Sequence, residues 1–399
     1  MRIGIVRLNL VSEDGDSRMV YSKAKSLMDL GHDVSIFTVN FNKNAFSKLN
    51  QGLSINVVPF SKKDKLLKNS NNIFGKIFYR LRYLYLSRNA LAVLKLRLLD
   101  EKFSIVDLHN DHSYRLARWY KKFHSDTFVI WTMNNCPFYR SKKNNLIAGF
   151  FSVVFSSLER TIVKAHINCI DAIIANDNEQ MDAISQLSKR VFMLRIPVNF
   201  ELFYAPVRNI EPGIKKCDLL SVGSLSPARN FEDTIITGAK LNELGYDVNV
   251  EIICNDYWRN KEYKKKLIDL VKEKHMQDRV NFHFSGVDEE KLLNIQRQST
   301  FFVFPNKLRM WGMAAFEAMA AGLLLIASSV TSVAEELEDN EDAIIVNVGD
   351  TDAMVARIAG LLEEPQKYRA IVSAGQDFVR ENLSWERYAR KYTELLQRS

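Results

Sequence analysis

The stretch that decides the architecture is residues 1–38, MRIGIVRLNLVSEDGDSRMVYSKAKSLMDLGHDVSIFT. Residues 3–10 form an apolar run of the kind that a strand buried on both faces requires. A polar loop follows at 12–17, and then Val20, Ala24 and Leu27 recur at helical spacing. Gly31 stands where a helix end calls for a left-handed residue, and residues 34–38 read as the next strand. Strand, loop, helix and strand in that order open a parallel α/β sheet. Further buried strands read at 55–59, Ile105–His109, Phe128–Thr132, Ala172–Ala175 and 191–196.

Residues 204–216, YAPVRNIEPGIKK, carry two prolines, a glycine and mixed charge, and mark a linker. The alternation then restarts, with strands at 218–222, 248–253, 280–284, Phe301–Phe304, 323–327 and 343–346. Helices between them are expected from 230, over 260–274, and from 288 and 312. The reading is therefore an α/β chain of two Rossmann-like domains, 1–207 and 208–383, facing a central cleft. An amphipathic helix at 384–399 is expected to pack back on the first domain.

A chain of 399 residues exceeds what one hydrophobic core usually fills, which agrees with two domains. Apolar residues at 47% and charged ones at 26% are those of an ordinary globular protein and exclude a disordered or fibrous one. Cys136, Cys169, Cys217 and Cys254 are scattered without a CxxC spacing. That fits reduced thiols on the cytoplasmic side and gives no zinc site. The opening residues read as a buried strand, not a signal peptide.

The net charge of +8 suits an anionic partner, yet no nucleic-acid recognition signature is present, so nucleic acid is not expected. The charge is concentrated. Residues 62–97 carry Lys62, Lys63, Lys65, Lys68, Lys76, Arg80, Arg82, Arg88, Lys95 and Arg97 against Asp64. Phe74, Phe78, Tyr83 and Tyr85 are interleaved with them. Residues 140–160 join Arg140, Lys142 and Lys143 to an apolar run at 146–155, about half a membrane span. Both stretches suit the face of an anionic membrane. The competing reading is a solvated helix whose apolar side packs on its own domain.

Two segments carry the chemistry. In SVGSLSPARNFE, 221–232, a strand ends, Gly223 lets the chain turn closely, Asn230 can cap a helix, and Arg229 stands just before the helix start. A guanidinium beside free backbone N–H groups makes an anion site, most naturally for a diphosphate. The plain alternative is a surface arginine on a loop. In FPNKLRMWGMAAFEAMAAG, 304–322, a strand ends at Pro305, a loop passes Arg309 and Trp311, and a helix starts near Gly312. That glycine would free the first backbone donors of the helix for an anion or sugar. Glu317 lies five residues on, about 7–8 Å along the axis, where a carboxylate can take both hydroxyls of a ribose. The plain alternative is an alanine-rich packing helix with one exposed glutamate.

These segments, with NFHFSG at 281–286, IASS at 326–329 and LSWERYARKY at 383–392, resemble the C-terminal half of group 1 (family 4) GT-B glycosyltransferases. The N-terminal half is similar more weakly, through IGIV, LGHDVSIFT, VDLHNDH and IPVNFELF. The resemblance implies a retaining, metal-independent transfer of sugar from a nucleotide diphosphate sugar. Together with the basic stretches at 62–97 and 140–160, it leads to an expected acceptor that is a lipid-linked chain or glycan at the inner membrane face, in surface polysaccharide or glycolipid synthesis. It assigns donor binding to Gly223, Ser224, Arg229, Ser285, Gly286, Arg309, Trp311, Gly312, Met313 and Glu317, with Arg229, Arg309 and Glu317 catalytic. Gly15, Asp16 and Asn134 are read as the acceptor or phosphate loop, and no metal is expected. His109 and His112 follow the end of a strand, where they would either position the acceptor or serve a structural or capping role.

The chain departs from the family pattern at four places. Of the basic pair that neutralises the diphosphate, Arg229 is present and Ser224 replaces the first member. Of a glutamate pair spaced E-x7-E, Glu317 is present and Arg309 replaces the first member. Asn134 stands for a histidine, and a glycine pair is reduced to Gly15. Three readings of Arg309 stay open: compensation for the lost cation, pairing with a carboxylate on the donor sugar, or a dead site. Two rival classes also stay open, a sugar-nucleotide 2-epimerase and a non-catalytic partner subunit. Asp14-Gly-Asp16 spells a DxD but sits on the first loop of a Rossmann unit, where metal binding is not expected.

Overall fold

The computed structural model describes residues 1–11, 15–58, 73–109, 112–134, 136–138, 146–211, 213, 215–256 and 260–398. The chain forms two compact units, Met1–Ile196 with Trp385–Ser399, and Pro197–Ser384. The first unit thus ends ahead of the linker read at 204–216, and the last helix belongs to it.

The first unit is built on seven parallel strands: β1 (Arg2–Val6), β2 (Asp33–Thr38), β3 (Ser54–Val57), β4 (Ile105–His109), β5 (Phe128–Thr132), β6 (Ala172–Ala175) and β7 (Val191–Met193). Their order is β3-β2-β1-β4-β5-β6-β7. Ile3 of β1 lies between Val34 of β2 and Ile105 of β4, so the apolar runs stack across the sheet. A two-stranded parallel ribbon, Asn9–Leu10 with Asn40–Phe41, extends from β1 and β2. Its helices are α1 (Gly15–Asp29), α2 (Ile73–Leu98), α3 (Ala117–Phe123), α4 (Leu146–Ile167) and α5 (Asn178–Ser185). Helix α1 begins three residues earlier than a loop over 12–17 would allow, buries Met19, Val20, Ala24 and Leu27, and ends before Gly31 at φ 82°.

The second unit repeats the plan with β8 (Lys216–Ser224), β9 (Asp247–Asn255), β10 (Val280–His283), β11 (Phe301–Phe304), β12 (Leu324–Ser328) and β13 (Ile344–Val346). The order is β10-β9-β8-β11-β12-β13, all parallel. Between the strands run α6 (Phe231–Glu243), α7 (Lys261–Glu273), α8 (Glu289–Gln298) and α9 (Met313–Ala320), and after them α10 (Thr351–Glu363) and α11 (Pro365–Asn382). Each sheet reverses its winding beside its first strand, and in doubly wound sheets ligands bind at the carboxyl ends of the strands at that point.

The last helix, α12 (Trp385–Glu394), packs against α1 in the first unit. Under it lies a fully buried ion pair: Lys23 Nζ donates to Asp107 Oδ2 at 2.8 Å and to Thr132 Oγ1 at 3.1 Å. Thr132 in turn donates to Asp107 Oδ1 at 2.8 Å, and the Tyr392 hydroxyl of α12 donates to Oδ2 at 3.1 Å. Burial pulls the Lys23 pKa down while Asp107 opposes it, and burial pushes the Tyr392 phenol well up.

The basic stretches fall partly outside the described residues, namely 62–72 and 140–145. From Leu86 onward α2 turns Leu86, Ala90, Leu91, Leu94 and Leu98 into its own unit, so that part of the apolar side is packing surface. Helix α4 buries Val163 and Ile167 and exposes Val153, Val154 and Leu158. Among the described residues no helix is long and apolar enough to cross a membrane.

Breaking a buried pair strands its partner's charge, at a cost of about 3–5 kcal/mol. Lys23→Met is therefore expected to lower the stability of the first unit by that amount in chemical denaturation. Lys23→Met with Asp107→Leu should recover most of it.

Candidate functional site

At the carboxyl end of β8 the chain makes a short turn, Pro227–Arg229, in which Ser226 Oγ accepts from Ala228 N at 3.4 Å and the Arg229 amide donates to Ser226 O at 2.9 Å. Asn230 follows at φ 54°, in the left-handed region. It does not cap α6; its amide donates instead to the Asp233 carboxylate, which also accepts from Gly349 N at 3.0 Å. This turn lays the Arg229 side chain across Gly223. A Cβ at that glycine would stand 3.0 Å from Arg229 Cδ and 3.1 Å from Nε. The half-buried guanidinium has the Ser224 hydroxyl at 3.5 Å as its hydrogen-bond partner and no carboxylate within 4 Å among the described residues. Burial alone acts on it, and pulls its pKa down. A desolvated cation without a counter-ion is costly, and an anionic ligand removes that cost.

The loop after β11 lies against this turn, the Lys307 amide donating to Ala228 O at 2.9 Å. Asn306 is buried with its Nδ2 unpaired among the described residues, as are the Ser328 and Ser332 hydroxyls at the end of β12. Buried polar groups are paired in most proteins, so three orphans at adjacent strand ends mark polar capacity for a ligand. Helix α9 starts at Met313 with no side chain capping its first amides. Gly312 has a packing reason: a Cβ there would collide with the ring of Phe304. The Trp311 ring lies tilted against Phe316, with the centroids 4.6 Å apart. Glu317 is not an exposed residue on a packing helix; it is 8% exposed. Gly286, at φ 72°, donates to Cys254 O at 3.1 Å and leaves no room for a Cβ beside Asn255, to which Ser285 is bridged.

The Arg309 guanidinium pairs through Nε with Glu335, from the loop after β12.

In the first unit the predicted residues join at the ends of β1, β4 and β5. Asn134 Nδ2 donates to Asp16 Oδ1 at 2.8 Å and lies 3.2 Å from His109 Nε2, while Arg7 reaches Asp16 at 3.4 Å. Asp16 sits in the first turn of α1 beside Gly15. His112 is buried at the head of the turn Ser113–Leu116. His109 is 1% exposed with Nδ1 unpaired among the described residues. Burial, then Lys23, then Arg7, holds its pKa well below the ordinary value near 6.5, which favours the neutral ring. Sequence reasoning missed Arg7, Asn176 and Arg195. Asn176 Nδ2 donates to Asn134 Oδ1 at 3.1 Å, and Arg195 donates to Asn176 O at 3.2 Å. The signal was available: Arg7 and Asn176 are polar residues directly after the apolar runs Ile3–Val6 and Ala172–Ala175. Among the described residues no cluster of metal-ligating side chains occurs.

Residues 210–378 match the family model described as glycosyl transferases group 1. The second unit is a group 1 glycosyltransferase domain. The chain is 22% identical over 222 residues to a probable sucrose-phosphate synthase of Thermosipho melanesiensis, covering 55% of this chain and 50% of that protein. It is 31% identical over 111 residues to the GDP-mannose:cellobiosyl-diphosphopolyprenol alpha-mannosyltransferase of Xanthomonas oryzae pv. oryzae, covering 26% and 29%. The chain therefore spans half or less of the length of these curated relatives. Among solved structures, sucrose-phosphate synthase from Thermosynechococcus elongatus superposes with a TM-score of 0.73 at 17% identity, over 100% of this chain and 98% of that one. Anabaena HepE in complex with UDP and glucose gives 0.71 at 13%, over 100% of each. The fold is the two-Rossmann-domain GT-B fold, with the group 1 domain as its second half.

A depressed histidine pKa gives stability that is fully present above the unfolded value and lost as pH falls below it. Thermal stability of the first unit is expected to drop between pH 7 and pH 5, with His32 and His166 adding in the same direction. His109→Gln should flatten the drop, which melting curves across that range will show.

Proposed function

We propose that the chain is a retaining glycosyltransferase that moves a sugar from a nucleotide diphosphate sugar to a lipid-linked or glycan acceptor at an anionic membrane surface. Surface polysaccharide or glycolipid synthesis is the setting this implies. The observation that carries the reading is Arg229, a half-buried guanidinium with no carboxylate partner among the described residues, within a group 1 domain.

In this reading the donor diphosphate lies against Arg229 and the open first turn of α9, and Glu317 takes the ribose hydroxyls. The bond from the sugar to the diphosphate oxygen breaks first, and the guanidinium and helix end stabilise the charge that develops on that oxygen. The acceptor oxygen then joins the sugar on the same face and passes its proton to the departing diphosphate. No separate general base and no metal are required by such a step. Support for a lipid-linked acceptor comes from the basic stretches, from the exposed Val153, Val154 and Leu158 beside Arg160 and Lys164, and from the polyprenol-linked acceptor in the name of the Xanthomonas relative. The polar network around Asp16, His109 and Asn134 is proposed to hold the acceptor.

The test incubates the protein with labelled UDP- and GDP-sugars and a membrane lipid extract. Label transferred to lipid and unaffected by EDTA is expected, with Arg229→Ala cutting turnover by about 10²–10³, as for loss of one oxyanion donor. Full transfer by Arg229→Ala would remove the site assignment. Isomerised nucleotide sugar without transfer would point to the epimerase class, and neither product to a non-catalytic subunit.

A further inference from the structure

The buried cluster of Lys23, Asp107 and Thr132 takes one residue from each of α1, β4 and β5. The same three elements deliver Asp16, His109 and Asn134 to the polar network at the strand ends. The spacing is regular. Asp16 and Lys23 stand about two turns apart on α1 and so share a face of the helix. Asp107 and His109 alternate onto one face of β4, and Asn134 follows Thr132 at the same interval just past β5. His109 and Thr132 lie side by side in the register of the two strands. The cluster is thus a second layer, one step below the network. Lys23 Nζ bonds to Asp107 and Thr132 at once, and Thr132 bonds to Asp107, which closes a triangle of three fully buried side chains. Apolar side chains could fill that space without loss of stability, because a buried ion pair seldom outweighs the desolvation of its charges. What the triangle adds is a fixed distance between the three elements. Its charge also reaches the upper layer: after burial, Lys23 is the main cause that holds the His109 pKa well below its ordinary value.

We propose that Lys23, Asp107 and Thr132 are positioning residues: they set α1 against the ends of β4 and β5, and so hold Asp16, Asn134 and His109 at the spacing that the acceptor meets. This rests on the acceptor reading of that network given above. None of the three touches the acceptor, because all are sealed beneath the network and against Tyr388 and Tyr392 of α12. Loss of the triangle leaves every residue of the network in place and removes only what aims it.

The experiment records nitrogen-15 spectra of the full chain with labelled histidine rings at about pH 8, where histidine is neutral. The His109 signals are those lost in His109→Gln, and melting curves check that each variant folds. A ring held by hydrogen bonds keeps one tautomer and gives two separate nitrogen signals, whereas a loosened ring exchanges tautomers and the signals merge. Separate signals are expected for the wild type and for Thr132→Ser, which keeps the hydroxyl. Merged signals are expected for Thr132→Val and for Lys23→Met combined with Asp107→Leu. With UDP- and GDP-sugars and limiting membrane lipid extract, Thr132→Val should transfer label about tenfold more slowly, the size of one buried hydrogen bond. Thr132→Ser should recover most of that rate. Calorimetric affinity for UDP and GDP should change less than twofold in every variant. Separate His109 signals in both Thr132→Val and the double variant would overturn the proposal and leave the acceptor reading standing. Merged signals with an undiminished rate would overturn the acceptor role of the network, and this proposal with it.

Discussion

The structure of the second unit turns on one unneutralised cation. Arg229 is carried by a single turn, folded back over a glycine that has no side chain to hold it off, and given a hydroxyl for company where a carboxylate would have silenced it. Each neighbouring feature follows from keeping that charge available. Asn230 gives up its capping role to bind Asp233, which draws one acid of the first turn of α6 into a knot with Gly349. Glu232, the other acid of that first turn, is taken up by Lys266 at 2.8 Å and by the Tyr263 hydroxyl. Two carboxylates next to an arginine have been given other partners.

The first unit handles charge the other way. Its buried lysine is met on three sides by Asp107, Thr132 and the rings of Tyr388 and Tyr392. Such a pair adds little net stability over apolar packing, but it fixes which helix closes the unit. The polar network at the strand ends, from Arg7 through Asp16 and Asn134 to His109, is wired by hydrogen bonds that hold the imidazole in one orientation.

The alternation of strand and helix was legible because the strands are buried on both faces and read as unbroken apolar runs, as in residues 3–6 and 301–304. Gly31 was legible because only a left-handed residue fits there. Other features were invisible for physical reasons. Lys23 and Asp107 lie 84 residues apart, and nothing in a single sequence pairs them. Glu335 lies 26 residues beyond Arg309, so the charge reversal at 309 looked unanswered until the two loops were seen to rise from neighbouring strands. Gly312 has a packing reason that the sequence did not show, because the ring of Phe304 stands where a side chain would begin.

The first unit is discontinuous, since the whole of 197–384 is threaded between β7 and the closing helix α12. During synthesis the second unit can be complete and folded while the first still lacks Tyr388 and Tyr392. Until residues 385–398 have emerged, Lys23 and Asp107 face each other without their lid, and water can reach them.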